Sequence, residues 1–236
     1  MNAIKFSKAA VRKLRQKLIG CKFTTTDRFG KYFFAKLSNG HWLHLHFGLT
    51  GNLELFTDQS TKPQYTRFII MFKNGEFIAF RDLRKFGIVQ LVSDPESYRI
   101  EHNLGPDLLK TTEDEFLNAL RGRKTAVKNA LLDQKNFTGI GNWIADEMLF
   151  ETGIHPETHP AKLSDQQLKE LYQAAVKVVR QAIEADTHYG SFPAHFFANF
   201  RKKDAIHPSH KTSPIKALKV GGRGSYIVPE KQIKIE

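Results

Sequence analysis

Cysteine is nearly absent from this chain. Its 236 residues hold one, Cys21, which excludes an internal disulfide and any zinc site built on cysteines, and fits a reducing compartment. With no activating partner evident, Cys21 reads as a small buried apolar residue. Long apolar runs are missing as well: no stretch approaches the roughly twenty residues of a membrane span, and the N-terminus shows no signal-peptide core. Acidic residues are in deficit, 24 against 36 lysines and arginines, for a net charge of +12 and a pI near 9.7. An imbalance of that size points to a polyanionic partner, of which nucleic acid is the commonest.

The excess is uneven. Arg121, Arg123, Lys124, Lys128 and Lys135 face only Asp133 in their stretch, and the tail from Arg201 to Glu236 carries nine basic residues against three acidic. Two separated basic segments suggest a binding track. Hydrophobic residues make up 41% of the chain, enough for a packed core in one large domain or two small ones.

The residues with most to say run from Lys124 to Pro156. Two helical patterns meet there through a glycine-punctuated turn. The first is predicted to start after Thr125 as N-cap and carries Val127, Ala130 and Leu131 on one face; the second starts at Asn142 as N-cap and carries Ile144, Ala145, Met148 and Leu149. Gly139 and Gly141 let the main chain approach a partner closely. A helix N-terminus flanked by the Asn142 amide and by Lys124, Lys128 and Lys135 is suited to an anion. An ordinary helical hairpin with a Gly turn fits the same residues.

Upstream, residues 1–20 read as a short basic helix ending at Gly20, with Ala9, Val11, Leu14 and Leu18 at helical spacing. From Cys21 to Val92 the period changes to two, in the runs KYFFAKL, HWLHLHF, NLELF, FIIMF, EFIAF and GIVQL. The Asn39-Gly40 and Asn74-Gly75 pairs mark hairpins, and the stretch reads as a small antiparallel sandwich or barrel. Downstream, Thr112 with Glu115 and Ser164 with Gln167 are capping-box patterns, the second ahead of a helix reaching about Glu184. Two β-like runs close the chain around Gly221-Gly222-Arg223-Gly224 as a hairpin with a basic tip. Sheet first and helices second gives an α+β protein with a cleft between domains.

Five stretches in order resemble the formamidopyrimidine-DNA glycosylase and endonuclease VIII family: RFGKYFFAKL, HLHFGLTGNLEL, FRDLRKFG, DQKNFTGIGNWIADEMLFETGIHP and KALKVGGRGSYIVPEKQ. The resemblance implies an N-terminal antiparallel β-sandwich over 1–98, a helix-two-turn-helix domain over 99–190 and a finger hairpin over 191–236. It implies a monomeric, cytoplasmic, nucleoid-associated bacterial base-excision repair enzyme with no cofactor. Such an enzyme would act on double-stranded DNA containing oxidised bases or abasic sites, as glycosylase and AP lyase through a Schiff base.

By the same resemblance, Lys31 and Arg223 serve the chemistry. Lys31 would sit on the cleft side of its strand, next to the sugar phosphate. Asn142 would meet flanking phosphates together with Arg223, supported by Lys124 and Lys135. Leu49, Arg84 and Phe86 would fill the void left by the flipped base. Lys85, His46 and Arg67 complete the set expected to face DNA.

Two departures from the family pattern stand out. Its finger commonly holds two Cys-x-x-Cys pairs; here His207 and His210 fall at the first and Val228 and Lys231 at the second. A tetrahedral zinc site cannot be completed from these, and a zincless finger held by Ile215, Leu218, Val220, Tyr226 and Ile227 is expected. The family also begins Met-Pro-Glu, with the proline amine as nucleophile, whereas this chain begins MNAIKFSKAAVRKL. The expectation is therefore a sandwich incomplete at its N-terminus, with apolar surface exposed, and a chain without its nucleophile. Two alternatives follow: a shortened version of a normal glycosylase, or a catalytically inactive damage- or structure-specific DNA-binding protein. Reading Gly139-Ile140-Gly141 as an RNA-binding element leaves the β-rich half without a role. The segment from Asp186 to His195, where a lid over the flipped base would fall, is short, which favours oxidised pyrimidines or hydantoins over 8-oxoguanine.

Overall fold

The computed structural model describes residues 8–185 and 191–235. They divide into two compact units, Met1–His102 and Asn103–Glu236. Among the described residues no helix is long and apolar enough to cross a membrane.

The first unit opens with α1 (Lys8–Leu18), followed by β1 (Phe23–Phe29), β2 (Tyr32–Leu37), β3 (Trp42–His46), β4 (Asn52–Phe56), β5 (Thr66–Met71), β6 (Phe77–Arg81), β7 (Ile88–Val92) and α2 (Pro95–Glu101). The strands form two antiparallel sheets, one ordered β1-β2-β3-β7 and the other β4-β6-β5. Alternation puts Leu43 and Val89 of the first sheet against Phe80, Phe68 and Ile70 of the second, with Leu14 of α1 in the same cluster. This is the sandwich that the period-two runs call for.

Its second sheet is a strand narrower, and the two are incompletely filled. Leu53 and Leu55 pair in register with Phe80 and Ile78 and so share their face, yet Leu55 is 70% exposed. A cavity of about 560 Å³ lined by Phe33, Leu45, Phe47, Leu53, Phe68 and Ile78 opens between the sheets. Ile69 and Met71 of β5 are exposed too.

The opposite face of the larger sheet is aromatic. Tyr32, Phe34 and His44 pack on Tyr98 of α2, with His44 and Tyr98 ring centres 4.4 Å apart. His44 is wholly buried, and burial pulls its imidazole down to about 3, so the ring is neutral. Cys21, expected to be buried, is half-exposed and its thiol donates to Lys17 O at 3.2 Å. It follows the last turn of α1, where it acts as a helix-end donor.

The second unit contains α3 (Glu113–Leu120), α4 (Val127–Leu132), α5 (Asn142–Thr152), α6 (Asp165–Glu184), a short 3-10 turn at Phe197–Phe200, and the hairpin β8 (Lys216–Val220) and β9 (Arg223–Ile227). Both capping boxes form: Thr112 with Glu115 starts α3, and Ser164 with Gln167 starts α6. Leu120, Leu131, Ile140, Ala145, Met148, Leu149, Leu171 and Val178 form one core. A smaller cluster of Phe150, Phe197, Ile215 and Val228 ties α5 to the C-terminal hairpin region.

Candidate nucleic-acid interface

The two-helix turn forms with its boundaries displaced from the sequence reading. Ala126, and not Thr125, precedes α4, without a side-chain cap. The leading N–H groups of α4 are taken by the loop after α5: Val127 N donates to Thr158 O at 2.8 Å and Lys128 N to Pro156 O at 3.2 Å. Gly141 is the N-cap of α5, and Asn142 is its first helical residue. Asn142 therefore stands at the positive end of α5 without capping it. Of the two glycines in the turn, Gly139 takes φ +106 while Gly141 is extended.

Asn142 Nδ2 donates to Gly224 O at 3.0 Å. That carbonyl follows Arg223, the exposed first residue of β9. The helix N-terminus and the hairpin tip, far apart in sequence, are thus joined at one atom. Gly221, at φ +56, allows the approach: a Cβ there would lie 2.1 Å from Asn129 Oδ1 on α4.

Lys128 contributes nothing to an exposed basic track, contrary to the sequence reading. Its side chain is completely buried, and Nζ donates to Asp146 Oδ1 at 2.6 Å, Ser225 Oγ at 2.8 Å and Gly224 O at 2.9 Å. The cause lies in the helix period: Lys128 shares a face with Leu131 and Leu132 at i+3 and i+4, and that face is the core side of α4. Asp146 is completed by Ser225 Oγ at 2.9 Å and by Arg201, whose Nε and Nη2 lie 3.0 and 2.7 Å from Oδ2. Burial lowers the Lys128 ammonium, Asp146 raises it again, and Arg201 and Arg223 add to the lowering. Lys128 and Arg201 both pair with Asp146, and Arg223 lies close enough to Lys128 to act on its ammonium, so cations outnumber the carboxylate at this corner. Lys124 and Lys135 are exposed on the same unit and do not join the network.

In the first unit the residues expected at DNA gather on loops at strand ends. Asp82 is 1% exposed and its carboxylate accepts from Thr50 Oγ1 at 2.8 Å, Gly87 N at 2.6 Å and Arg84 N at 3.2 Å. Burial pushes this carboxyl up, but the N–H groups of Gly87, Arg84 and Lys85 and the Thr50 hydroxyl outweigh it and hold it below the ordinary range. One buried carboxylate thereby fastens the loop of Leu49 to the loop of Arg84, Lys85 and Phe86. Gly48 closes the same contact, since a Cβ on it would come 2.8 Å from the Phe86 carbonyl carbon.

Leu49 is 70% and Phe86 50% exposed, with the Arg84 guanidinium 5.1 Å from the Phe86 ring centre. Both apolar groups are thus presented to solvent by backbone that the Asp82 carboxylate fastens. Arg67 braces the loop, its Nε donating to Asp82 O at 2.9 Å. Lys31 occupies the two-residue turn between β1 and β2, and not a strand as expected, because β1 and β2 pair through Phe29 and Tyr32 on either side of Gly30-Lys31. It lies close enough to His46 to lower that imidazole, after burial, the larger cause. His46 Nδ1 accepts from Gly48 N at 3.1 Å. Asp82, Thr50, Asp146, Arg201 and Ser225 were not singled out from sequence; only the position of Lys128 on an apolar helical stripe was a readable signal.

At the positions where cysteine pairs would fall, His207 packs 4.7 Å from the Phe150 ring centre, donates through Nε2 to His195 O, 3.0 Å away, and has Nδ1 3.0 Å from Ser209 Oγ. His210 pairs with Glu230 at 2.8 Å. Val228 is fully buried, and Lys231 Nζ sits 4.4 Å over Phe150. Among the described residues no group of three His, Cys, Asp or Glu is placed to hold a metal. Ile215, Val220 and Ile227 are buried as expected, Tyr226 packs on the Phe150 cluster, and Leu218 stays half-exposed. Half of the lid segment, residues 186–190, lies outside the described residues.

Comparison with known proteins bears on both units. Residues 2–89 match the formamidopyrimidine-DNA glycosylase N-terminal domain and residues 104–192 the formamidopyrimidine-DNA glycosylase H2TH domain. A formamidopyrimidine-DNA glycosylase of Ligilactobacillus salivarius is 32% identical, with 92% of this chain and 84% of that protein covered. One from Arabidopsis thaliana is 30% identical over 91% of this chain, which spans only 59% of that relative's length. Among solved structures, MutM in complex with carbocyclic 8-oxo-G containing DNA superposes with a TM-score of 0.84 at 26% identity, covering 94% of this chain and 86% of that one. The Lactococcus lactis Fpg complex with FAPY-dG containing DNA gives 0.84 at 25% identity over the same shares. With both domains matched and about a third of its residues shared across most of a relative's length, the chain belongs to the formamidopyrimidine-DNA glycosylase family.

Proposed function

We propose that the protein is a base-excision repair DNA glycosylase with AP lyase activity, acting on oxidised bases and abasic sites in duplex DNA in the cytoplasmic nucleoid. The observation that carries the reading is the junction at Gly224 O, where Asn142 at the positive end of α5 meets the residue following Arg223 in a corner of excess positive charge. In this reading Asn142 and Arg223 hold a backbone phosphate, with Lys124 and Lys135 adding longer-range attraction. Leu49, Phe86 and Arg84 occupy the space of the flipped nucleotide: two apolar groups enter the stack and a guanidinium faces the orphaned base. Lys31, with His46 behind it, supports the sugar-phosphate at the reacting nucleotide. Functionally the chain divides into a sandwich over 1–98, a helical grip over 99–190 and a finger over 191–236.

The chemistry is an amine attacking C1′ with departure of the base, giving a Schiff base, followed by loss of the C2′ proton and of the 3′ phosphate to nick the strand. Borohydride added to the protein incubated with duplex carrying a single oxidised base, which reduces and traps the Schiff base, tests this. A covalent protein–DNA adduct is expected, formed more readily with an oxidised pyrimidine or hydantoin than with 8-oxoguanine. Tight, salt-sensitive binding to abasic duplex with no adduct would make the protein a DNA binder without the chemistry.

A further inference from the structure

We propose that Arg201 is a positioning residue that holds the finger hairpin on α5 so that Arg223 and Asn142 act on one phosphate; this rests on the function proposed above. Asp146 lies one helical turn after Asn142 and divides its two oxygens. Oδ1 holds Lys128 and Ser225, and Oδ2 is held by the fork of Arg201. The Arg201 guanidinium also lies 5.2 Å from the ring centre of Tyr226, the neighbour of Ser225 on β9. One side chain thus fixes both the carboxylate and the strand that the carboxylate anchors.

Arg201 is itself well placed to be held. It follows the 3-10 turn Phe197–Phe200, whose Phe197 and Ala198 N–H groups donate to Glu147 at 2.9 and 2.7 Å. Adjacent carboxylates on α5 therefore clamp one segment twice. With its side chain 15% exposed and its Nε and Nη2 spent on Asp146, Arg201 is largely withdrawn from solvent. Without it, Asp146 can swing both oxygens toward Lys128, and the hydrogen bond to Ser225, two residues from Arg223, loses its fixed partner.

The test is a double-mutant cycle in the full chain. Affinity for a duplex containing a tetrahydrofuran abasic analogue is measured for Asn142→Ala, Arg223→Ala and the double variant, in the native background and with Arg201→Met. Natively, the two substitutions are expected to be non-additive by about tenfold, because they share a phosphate. In the Arg201→Met background that coupling is expected to vanish while the salt dependence of binding stays unchanged. Arg201→Lys, which keeps the charge and loses the fork, carries the test if Arg201→Met does not fold, with the coupling again expected to fall. Undiminished coupling overturns the proposal, as does a shallower salt slope, which would make Arg201 a phosphate ligand. If neither Asn142→Ala nor Arg223→Ala weakens binding natively, the underlying functional reading fails and this inference with it.

Discussion

Lys128 Nζ lies 2.6 Å from Asp146 Oδ1, and neither side chain is exposed to solvent. A buried ion pair is maintained only when its remaining hydrogen-bonding capacity is met, and here Gly224 O, Ser225 and Arg201 meet it. The pair sits where α4, α5 and β9 converge, so the two-helix turn and the C-terminal hairpin share one foundation.

Truncating that lysine takes from buried Asp146 one of its two cationic partners and leaves a cavity between Gly224 O and Ser225. Lys128→Ala is expected to lower the unfolding free energy by about 3–5 kcal/mol, measured by urea denaturation. A loss of less than 1 kcal/mol, on the order of an exposed pair, would show that the network is solvated in solution.

Glu147 predicts a pH dependence. Burial pushes its carboxyl up to about 7, against the pull of the Phe197 and Ala198 N–H groups, compared with about 4.3 in an unfolded chain. The folded state therefore binds this proton more tightly. The resulting stabilisation, on the order of 3 kcal/mol, is fully present below the unfolded value and lost as pH rises through 7. Glu147→Gln removes the titration, so the melting temperature of the native protein minus that of the variant should fall between pH 4.5 and 8. A flat difference across that range would contradict this.

Asp82 governs the loop of Arg84 and Phe86. Its depressed carboxyl contributes stability above the unfolded aspartate value that disappears as pH falls through the folded one. Asp82→Asn leaves Thr50, Arg84 and Gly87 competing for a weaker acceptor and is expected to cost about 1–3 kcal/mol. Trypsin should then cut after Arg84 and Lys85 several-fold faster than in the native protein; equal cutting rates would mean that the carboxylate does not hold the loop.

The finger should be indifferent to chelators. Protein purified without chelator is expected to carry no stoichiometric zinc, and EDTA should leave its melting temperature unchanged. Phe150→Ala, which removes the ring shared by Phe197, His207 and Lys231, should cost about 3–5 kcal/mol. One zinc per chain on metal analysis would overturn this account of the finger.

Local patterns were legible where the chain is its own neighbour. The capping boxes at Thr112 and Ser164, the hairpin at Gly221-Gly222 and the period-two strands depend on residues within a few positions of one another. The sequence by itself therefore determined the α+β order, the basic balance and the presence of a two-helix turn followed by a hairpin. It misjudged what depends on distant partners. Lys128 reads as one more surface cation until Asp146 and Ser225, 18 and 97 residues away, are brought around it. Asn142 reads as a cap until Gly224 O arrives beside its amide. Thr50 reads as a loop residue until Asp82 reaches it. A buried charge is tolerated only in a completed shell of partners, and only the tertiary structure supplies that shell, so it alone decided which cations and carboxylates build the site and which are left to face the solvent.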